Sequence, residues 1–201
     1  MLRAILALPL LLIGLVMGAS AQAASAPAQY RELIEGKTTA KVMVVEYASL
    51  TCPHCAHFYV ENFPELKKNY IDTGKIKFVF RDLPTPPQNL AMAAAALARC
   101  VPNNKGLTFI GALYKNQQEW MKNPEEELRK YAGLSGLDKD GFDACLTNQD
   151  VIGELNRVAQ TGLSLYKVQR TPSFVVNDEL VEFENYQALA TAIDKALAKA
   201  K

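Results

Sequence analysis

The chain has no excess of charge of either sign. Its 22 Lys and Arg stand against 21 Asp and Glu, and loss of the leading segment with Arg3 would bring the two into balance. Nucleic-acid binding calls for a basic excess, so that class is excluded. There is no internal repeat, low-complexity tract or block of like charge. Cysteine is scarce, with four residues at 52, 55, 100 and 145. Only one Cys-x-x-Cys occurs, and no paired histidine motif accompanies it, so the four ligands of a structural zinc site are not supplied. Ala56 follows the second cysteine where c-type haem attachment needs His. No metal and no cofactor are expected.

Long apolar runs are also missing, except at the start. Met1-Leu2-Arg3 carries one positive charge, residues 4–17 carry none, and Ala21-Gln22-Ala23 has the small-x-small pattern of a cleavage site. These are the regions of a secretory signal peptide, expected over 1–23. A membrane anchor is the alternative, but the run is short for a span of roughly 20 residues. No cysteine sits at the cleavage point, so a lipid-anchored form is not expected. The rest of the chain then works in an oxidising compartment, where disulfides persist, and is long enough for one ordinary core.

Residues 41–48 read as a Val-rich strand, preceded by a turn or strand over 30–36. A helix is expected over 53–70, with Phe58, Val60, Phe63 and Leu66 as its apolar surface, a kink at Pro64 and a stop at Gly74. Residues 76–81 alternate as a second strand, and the Pro cluster at 82–87 breaks the chain. Strand, helix, strand suggests a crossover and parallel pairing. A block without strand signals follows, with helices over 88–100, 105–121, 124–132, 138–146 (Asp138 as N-cap) and from about 150 to 165. A hairpin closes the pattern, 173–176 and 180–183 around Asn177-Asp178, then a helix over 186–199 capped by Asn185. The order describes an α/β fold.

Cys52-Pro53-His54-Cys55 sits where the first strong strand meets the first helix. Two thiols at that spacing can meet as a disulfide. A helix start offers unpaired N–H groups and the positive end of a dipole, both of which stabilise a thiolate. Pro53 fits the first turn, where a missing N–H costs nothing. Cys52 is read as the exposed, attacking sulfur and Cys55 as its buried partner. His54, between them, can add a donor or a positive charge; His57 reads as a helix residue facing solvent or core. Glu46 is a carboxylate in an apolar run. It is either a solvent-facing residue at a strand end or a buried acid beneath the dithiol, and the pattern leaves both open.

An apolar strand, a Cys-Pro-His-Cys helix start, a helical block and a late Thr171-Pro172 before a hairpin resemble the DsbA family of periplasmic thiol-disulfide oxidoreductases over essentially the whole mature chain. The resemblance implies a thioredoxin fold, built from 24–86 and 150–201, with an inserted helical domain over 87–149. It implies that Cys52 and Cys55 form the redox disulfide, that Glu46 handles protons with Lys77 as an accompanying base, and that Pro172 is cis beside the dithiol. It also implies that the Thr171 backbone pairs with an extended substrate segment. Four cysteines in an exported protein suggest two disulfides. Once Cys52 and Cys55 pair, Cys100 and Cys145 remain, and some family members carry a second disulfide there; two unpaired buried thiols are the alternative. The implied activity is donation of a disulfide to reduced exported proteins, with recharging by a DsbB-type, quinone-linked membrane oxidase. A non-catalytic thioredoxin-like module is disfavoured by the intact dithiol, His54 and Pro172. The stronger rival is an isomerase or reductase, because the residue before the cis proline is commonly Val in the oxidase type and Thr in isomerases. Periplasmic isomerases usually carry a separate dimerisation domain, for which the stretch before residue 41 is too short, and a monomeric oxidase is the reading adopted.

Overall fold

The computed structural model describes residues 29–200; the expected signal peptide, 1–23, lies outside the described residues. A five-stranded sheet forms the centre, in the order β1-β3-β2-β4-β5, with β1 Leu33–Gly36, β2 Val42–Ala48, β3 Ile76–Asp82, β4 Ser173–Val176 and β5 Glu179–Val181. β2 and β3 run parallel and the remaining pairs antiparallel. The Val-rich run of β2 is apolar on both faces because both are covered.

Alternation along the strands sorts the core. Val42, Val44, Phe78, Phe80, Phe174 and Val176 share one face and pack with Phe58 of α1 (Pro53–Glu61) and with Leu189 and Ile193 of α9 (Tyr186–Lys199). Val45, Tyr47, Val79 and Val175 share the other and meet Val158 of α8 (Gln149–Ser164). Glu46 lies on the α1 side. Lys77 pairs with Met43, one residue out of phase with the Glu46↔Phe80 register, so it faces the opposite side of the sheet and cannot accompany Glu46.

The helix expected over 53–70 is three pieces: α1, then α2 (Phe63–Leu66), then a π-helical turn, Lys67–Ile71. Pro64 lacks an N–H for the α1 ladder, so the chain breaks at Asn62 and Pro64 opens α2. Val60 is 44% exposed and contributes little to the buried surface. Gly74, at φ +69°, ends the last piece as expected: the Lys75 N–H bonds back to the Tyr70 carbonyl and the Gly74 N–H to the Ile71 carbonyl, a left-handed C-terminal cap.

The helix expected over 105–121 also divides, at Asn116, into α4 (Gly106–Lys115) and α5 (Gln117–Trp120). With α3 (Gln88–Cys100), α6 (Pro124–Leu134) and α7 (Lys139–Leu146) they form a helical block between β3 and α8. Asp138 and Asn148 cap α7 and α8 through their side chains, and Asn185 caps α9. Two links tie the block together. Cys100 and Cys145 form a disulfide between α3 and α7 across 45 residues, a closure that stabilises by about 3–4 kcal/mol in the loop-entropy model. Arg99 of α3 pairs with Asp82 of β3 in the interior, both about 1% exposed. The last strand stops at Val181, and Phe183 beyond it closes an aromatic cluster with Phe58 and Phe174.

Two glycines of α8 test how closely this helix rests on the sheet. A Cβ at Gly162 would stand 2.6 Å from the Tyr47 ring, whereas one at Gly153 would meet nothing within 4 Å. Gly162→Ala should destabilise the protein by about 1–3 kcal/mol through overpacking. Gly153→Ala should stabilise it by about 0.5–1 kcal/mol through helix propensity. Urea unfolding of the two variants should therefore move in opposite directions.

Candidate active site

β2 ends at Ala48 and the chain crosses to α1 through Ser49, Leu50 and Thr51. Thr51 Oγ1 donates to the Thr85 carbonyl at 3.1 Å, and Ser49 Oγ accepts from the Thr85 N–H at 3.1 Å, so the crossing is pinned to the Pro-rich loop after β3. Cys52 is the N-cap of α1. Its backbone is extended (φ −81°, ψ 118°), and its Sγ accepts the N–H of Cys55 at 3.3 Å. The sulfur thus fills the place in which Ser, Thr, Asp or Asn usually satisfies an orphan donor of the first turn. Pro53 occupies the first helical position, is exposed and removes no needed donor.

The two sulfurs are unbonded and differ in environment. Cys52 keeps 7% exposure and Cys55 none. The attacking residue read as exposed is therefore mostly covered, with its sulfur turned onto the Cys55 N–H and lying against the Thr171 carbonyl. The Cys52 pKa is drawn down to about 6, first by the hydrogen bond from the Cys55 thiol, with further help from the Thr171 side chain and the N–H groups of Cys55 and His54, against the cost of burial. Burial, the bond to Cys52 and the nearby negative groups push Cys55 far up. The pair thus holds a proton on Cys55 and charge on Cys52.

Glu46 is 2% exposed, flanked across the sheet by Phe80 and Phe174, and its Oε1 has no hydrogen-bond partner among the described residues. Burial, reinforced by the Cys52 charge, pushes its carboxyl up to about 8. Of the two readings of Glu46, the structure has the buried one, within electrostatic reach of both cysteines. His54 is exposed and acts on Cys52 through its backbone N–H; His57 is exposed as well. The Thr171–Pro172 peptide is cis, and Cys52 Sγ lies 3.4 Å from the Thr171 carbonyl, to which it donates when protonated. From Thr171 a groove of about 580 Å³ runs past Pro84, Pro86, Met92, Ile152 and Leu163.

Two contributors escaped the sequence reading. Gln117 of α5 donates from Nε2 to the carbonyls of Leu50 (2.8 Å) and Cys52 (3.0 Å), and the Tyr114 hydroxyl of α4 donates to the Ser49 carbonyl (3.3 Å). A polar residue within an amphipathic stretch carries no mark of such a role; the contacts exist only once the helices pack over the site.

The family model described as Thioredoxin matches residues 29–195. A protein of Rickettsia bellii, provisionally named a protein-disulfide oxidoreductase, is 37% identical over 177 residues, covering 85% of this chain and 66% of its own length. The chain spans 61% to 66% of the length of the Rickettsia relatives it matches. A Bacillus cereus protein, provisionally named disulfide bond formation protein D, is 30% identical over 170 residues, 82% of this chain and 78% of that one. The crystal structure of Wolbachia pipientis alpha-DsbA1 superposes with a TM-score of 0.73 at 27% identity, over 85% of this chain and 92% of that one. With the fold, the dithiol at a helix start and the cis proline all in place, this chain belongs to the thioredoxin superfamily, as a DsbA-like member with an inserted helical domain.

Proposed function

We propose that this protein is a thiol-disulfide oxidase that gives its Cys52–Cys55 disulfide to reduced exported proteins. The observation that carries the proposal is the asymmetry of the dithiol: donors converge on Cys52 Sγ at the start of α1, while Cys55 is held protonated beneath it. A stabilised Cys52 thiolate favours the reduced enzyme, and an enzyme that favours its reduced form oxidises its partners.

A substrate thiolate attacks Cys52 Sγ, the Cys52–Cys55 bond breaks, and its electron pair leaves on Cys55. Cys55 takes a proton, for which Glu46 is the buried source. A second substrate thiolate then attacks the substrate sulfur of the mixed disulfide, and Cys52 departs as the stabilised thiolate. Two electrons pass from substrate to enzyme, and the substrate keeps the new disulfide. The Thr171 backbone pairs with an extended segment of the substrate, whose neighbouring side chains enter the groove; the nearness of Thr171 to both Cys52 and that groove supports this reading.

Export through residues 1–23, work in the periplasm and recharging by a DsbB-type, quinone-linked membrane oxidase complete the proposal. An isomerase or reductase is the second reading, favoured by the identity of Thr171. Its side chain, however, adds to the lowering of the Cys52 pKa, which supports the oxidase.

Equilibration with glutathione buffers should leave the dithiol mostly reduced where ordinary structural disulfides stay closed; a dithiol that stays oxidised under those buffers would mark a reductase. Cys52→Ser should abolish oxidation of a reduced test protein, and near-normal turnover would remove Cys52 from the role. The Cys52 pKa falls from its ordinary 9.0 to about 6. The resulting stabilisation of the reduced form is complete above pH 9 and is lost as the pH drops through 6, so the stability gap between reduced and oxidised protein should narrow over that window.

Glu46 has the opposite sign. A carboxyl raised from 4.5 to about 8 destabilises the fold as the pH climbs between those values. Glu46→Gln should therefore raise stability at pH 7 by up to about 3 kcal/mol and leave it unchanged near pH 4, while slowing disulfide exchange. Unfolding curves at the two pH values, set beside exchange rates, test both effects.

A further inference from the structure

The crossing from β2 to α1 reaches the reactive sulfur through a stretch outside both elements, and its carbonyls are met from the helical block. Ser49 O accepts from the Cys52 N–H at 3.0 Å and from the Tyr114 hydroxyl at 3.3 Å. Leu50 O and Cys52 O both accept from one amide nitrogen, Gln117 Nε2, at 2.8 and 3.0 Å. Gln117 is 8% exposed and opens α5, whose corner with α4 is closed by the Trp120 indole N–H donating to the Leu113 carbonyl at 3.0 Å.

We propose that Gln117 is a positioning residue that sets the reactivity of Cys52, so that the helical block tunes the dithiol as well as covering it. The inference rests on the reading of Cys52 as the reactive thiolate. An amide NH2 has two hydrogens, one for each carbonyl. Held at both carbonyls, the Leu50–Thr51 and Cys52–Pro53 peptides cannot turn, and the Cys52 side chain between them stays aimed at the Cys55 N–H. The same two hydrogens offset the negative ends of two carbonyl dipoles beside a sulfur that must carry negative charge. Without them, Cys52 loses both alignment and electrostatic support. Glu46 of β2, Cys55 of α1 and Tyr114 of α4, the other titratable groups that face this sulfur, keep their places, because none of them bonds to Gln117.

The test uses Gln117→Leu, which fills the space and removes both donors, with Trp120→Phe as a control. The control removes a buried N–H from the same corner, one that bonds to the Leu113 carbonyl and to none of residues 50–52. Cys52 is titrated by thiolate absorbance, the dithiol is equilibrated with glutathione, and stability is measured in both redox states. In Gln117→Leu the Cys52 pKa should rise by about one unit and the glutathione equilibrium should shift about tenfold toward the disulfide form. Trp120→Phe should lower stability and leave the Cys52 pKa where it was. The proposal is overturned if Gln117→Leu folds with an unmoved titration and equilibrium, or if Trp120→Phe moves the titration equally. Should Gln117→Leu fail to fold, Gln117→Asn, which keeps the amide but shortens its reach, should raise the pKa in the same direction; an unmoved titration there also overturns it. The titration of the unsubstituted protein reads the oxidase proposal separately, because the role of Gln117 lies in the difference between proteins.

Discussion

The hydrogen bond from the Cys55 N–H to Cys52 Sγ is the contact on which the rest of the architecture turns. A thiol is a poor acceptor and satisfies an orphan N–H of a helix start only weakly; a thiolate does so as a charge-assisted bond and gains from the helix dipole as well. The fold therefore favours the anion through its own need for an N-cap. Pro53 and Pro64 bound the effect, one opening α1 and the other ending it within three turns.

Two buried acids on one face of the sheet show how partners decide what a carboxyl does. Asp82 ends β3 with Arg99 against it, and Glu46 lies across from Phe80, two residues earlier on the same strand. Burial raises both pKa values. Arg99 opposes the rise at Asp82, so that pair fastens α3 to the sheet. Glu46 has no counter-charge, and the Cys52 anion reinforces its rise, so it holds its proton near neutral pH, where a neighbouring thiol can use it. The sequence puts Glu46 within an apolar strand and Asp82 at the break after one, and neither position reveals its partner, because the difference lies in Arg99, which arrives from a separate helix.

What the sequence made legible follows the same line. The Val-rich β2, the Cys-Pro-His-Cys helix start, the Asp138 and Asn185 caps and the closing hairpin were readable because each rests on residues adjacent in the chain. The division of the long helices was not. Asn116 breaks α4 from α5 without a proline or glycine to announce it, and the break is what turns Gln117 toward Leu50 and Cys52. The family resemblance misplaces Lys77 for a geometric reason: likeness along the chain tolerates a one-residue shift, whereas a strand sends neighbours to opposite faces.

The covering of Cys52 sets two requirements against each other. Electrostatic effects on the sulfur are strongest where water is excluded, and 7% exposure satisfies that. A protein substrate must nevertheless reach the same atom. The inserted helices resolve the conflict by closing one side only. Tyr114 and Gln117 seal the backbone behind the sulfur, whereas the Thr171 side opens directly into a groove lined by Pro86, Met92 and Leu163. In the proposed reaction the substrate completes the enclosure, so the low-dielectric setting is fully formed only while sulfur is being exchanged. An insertion that merely added bulk would have to cover the site from every side or leave it wet; one that reaches the crossing loop with directed donors can do neither and still hold the thiolate.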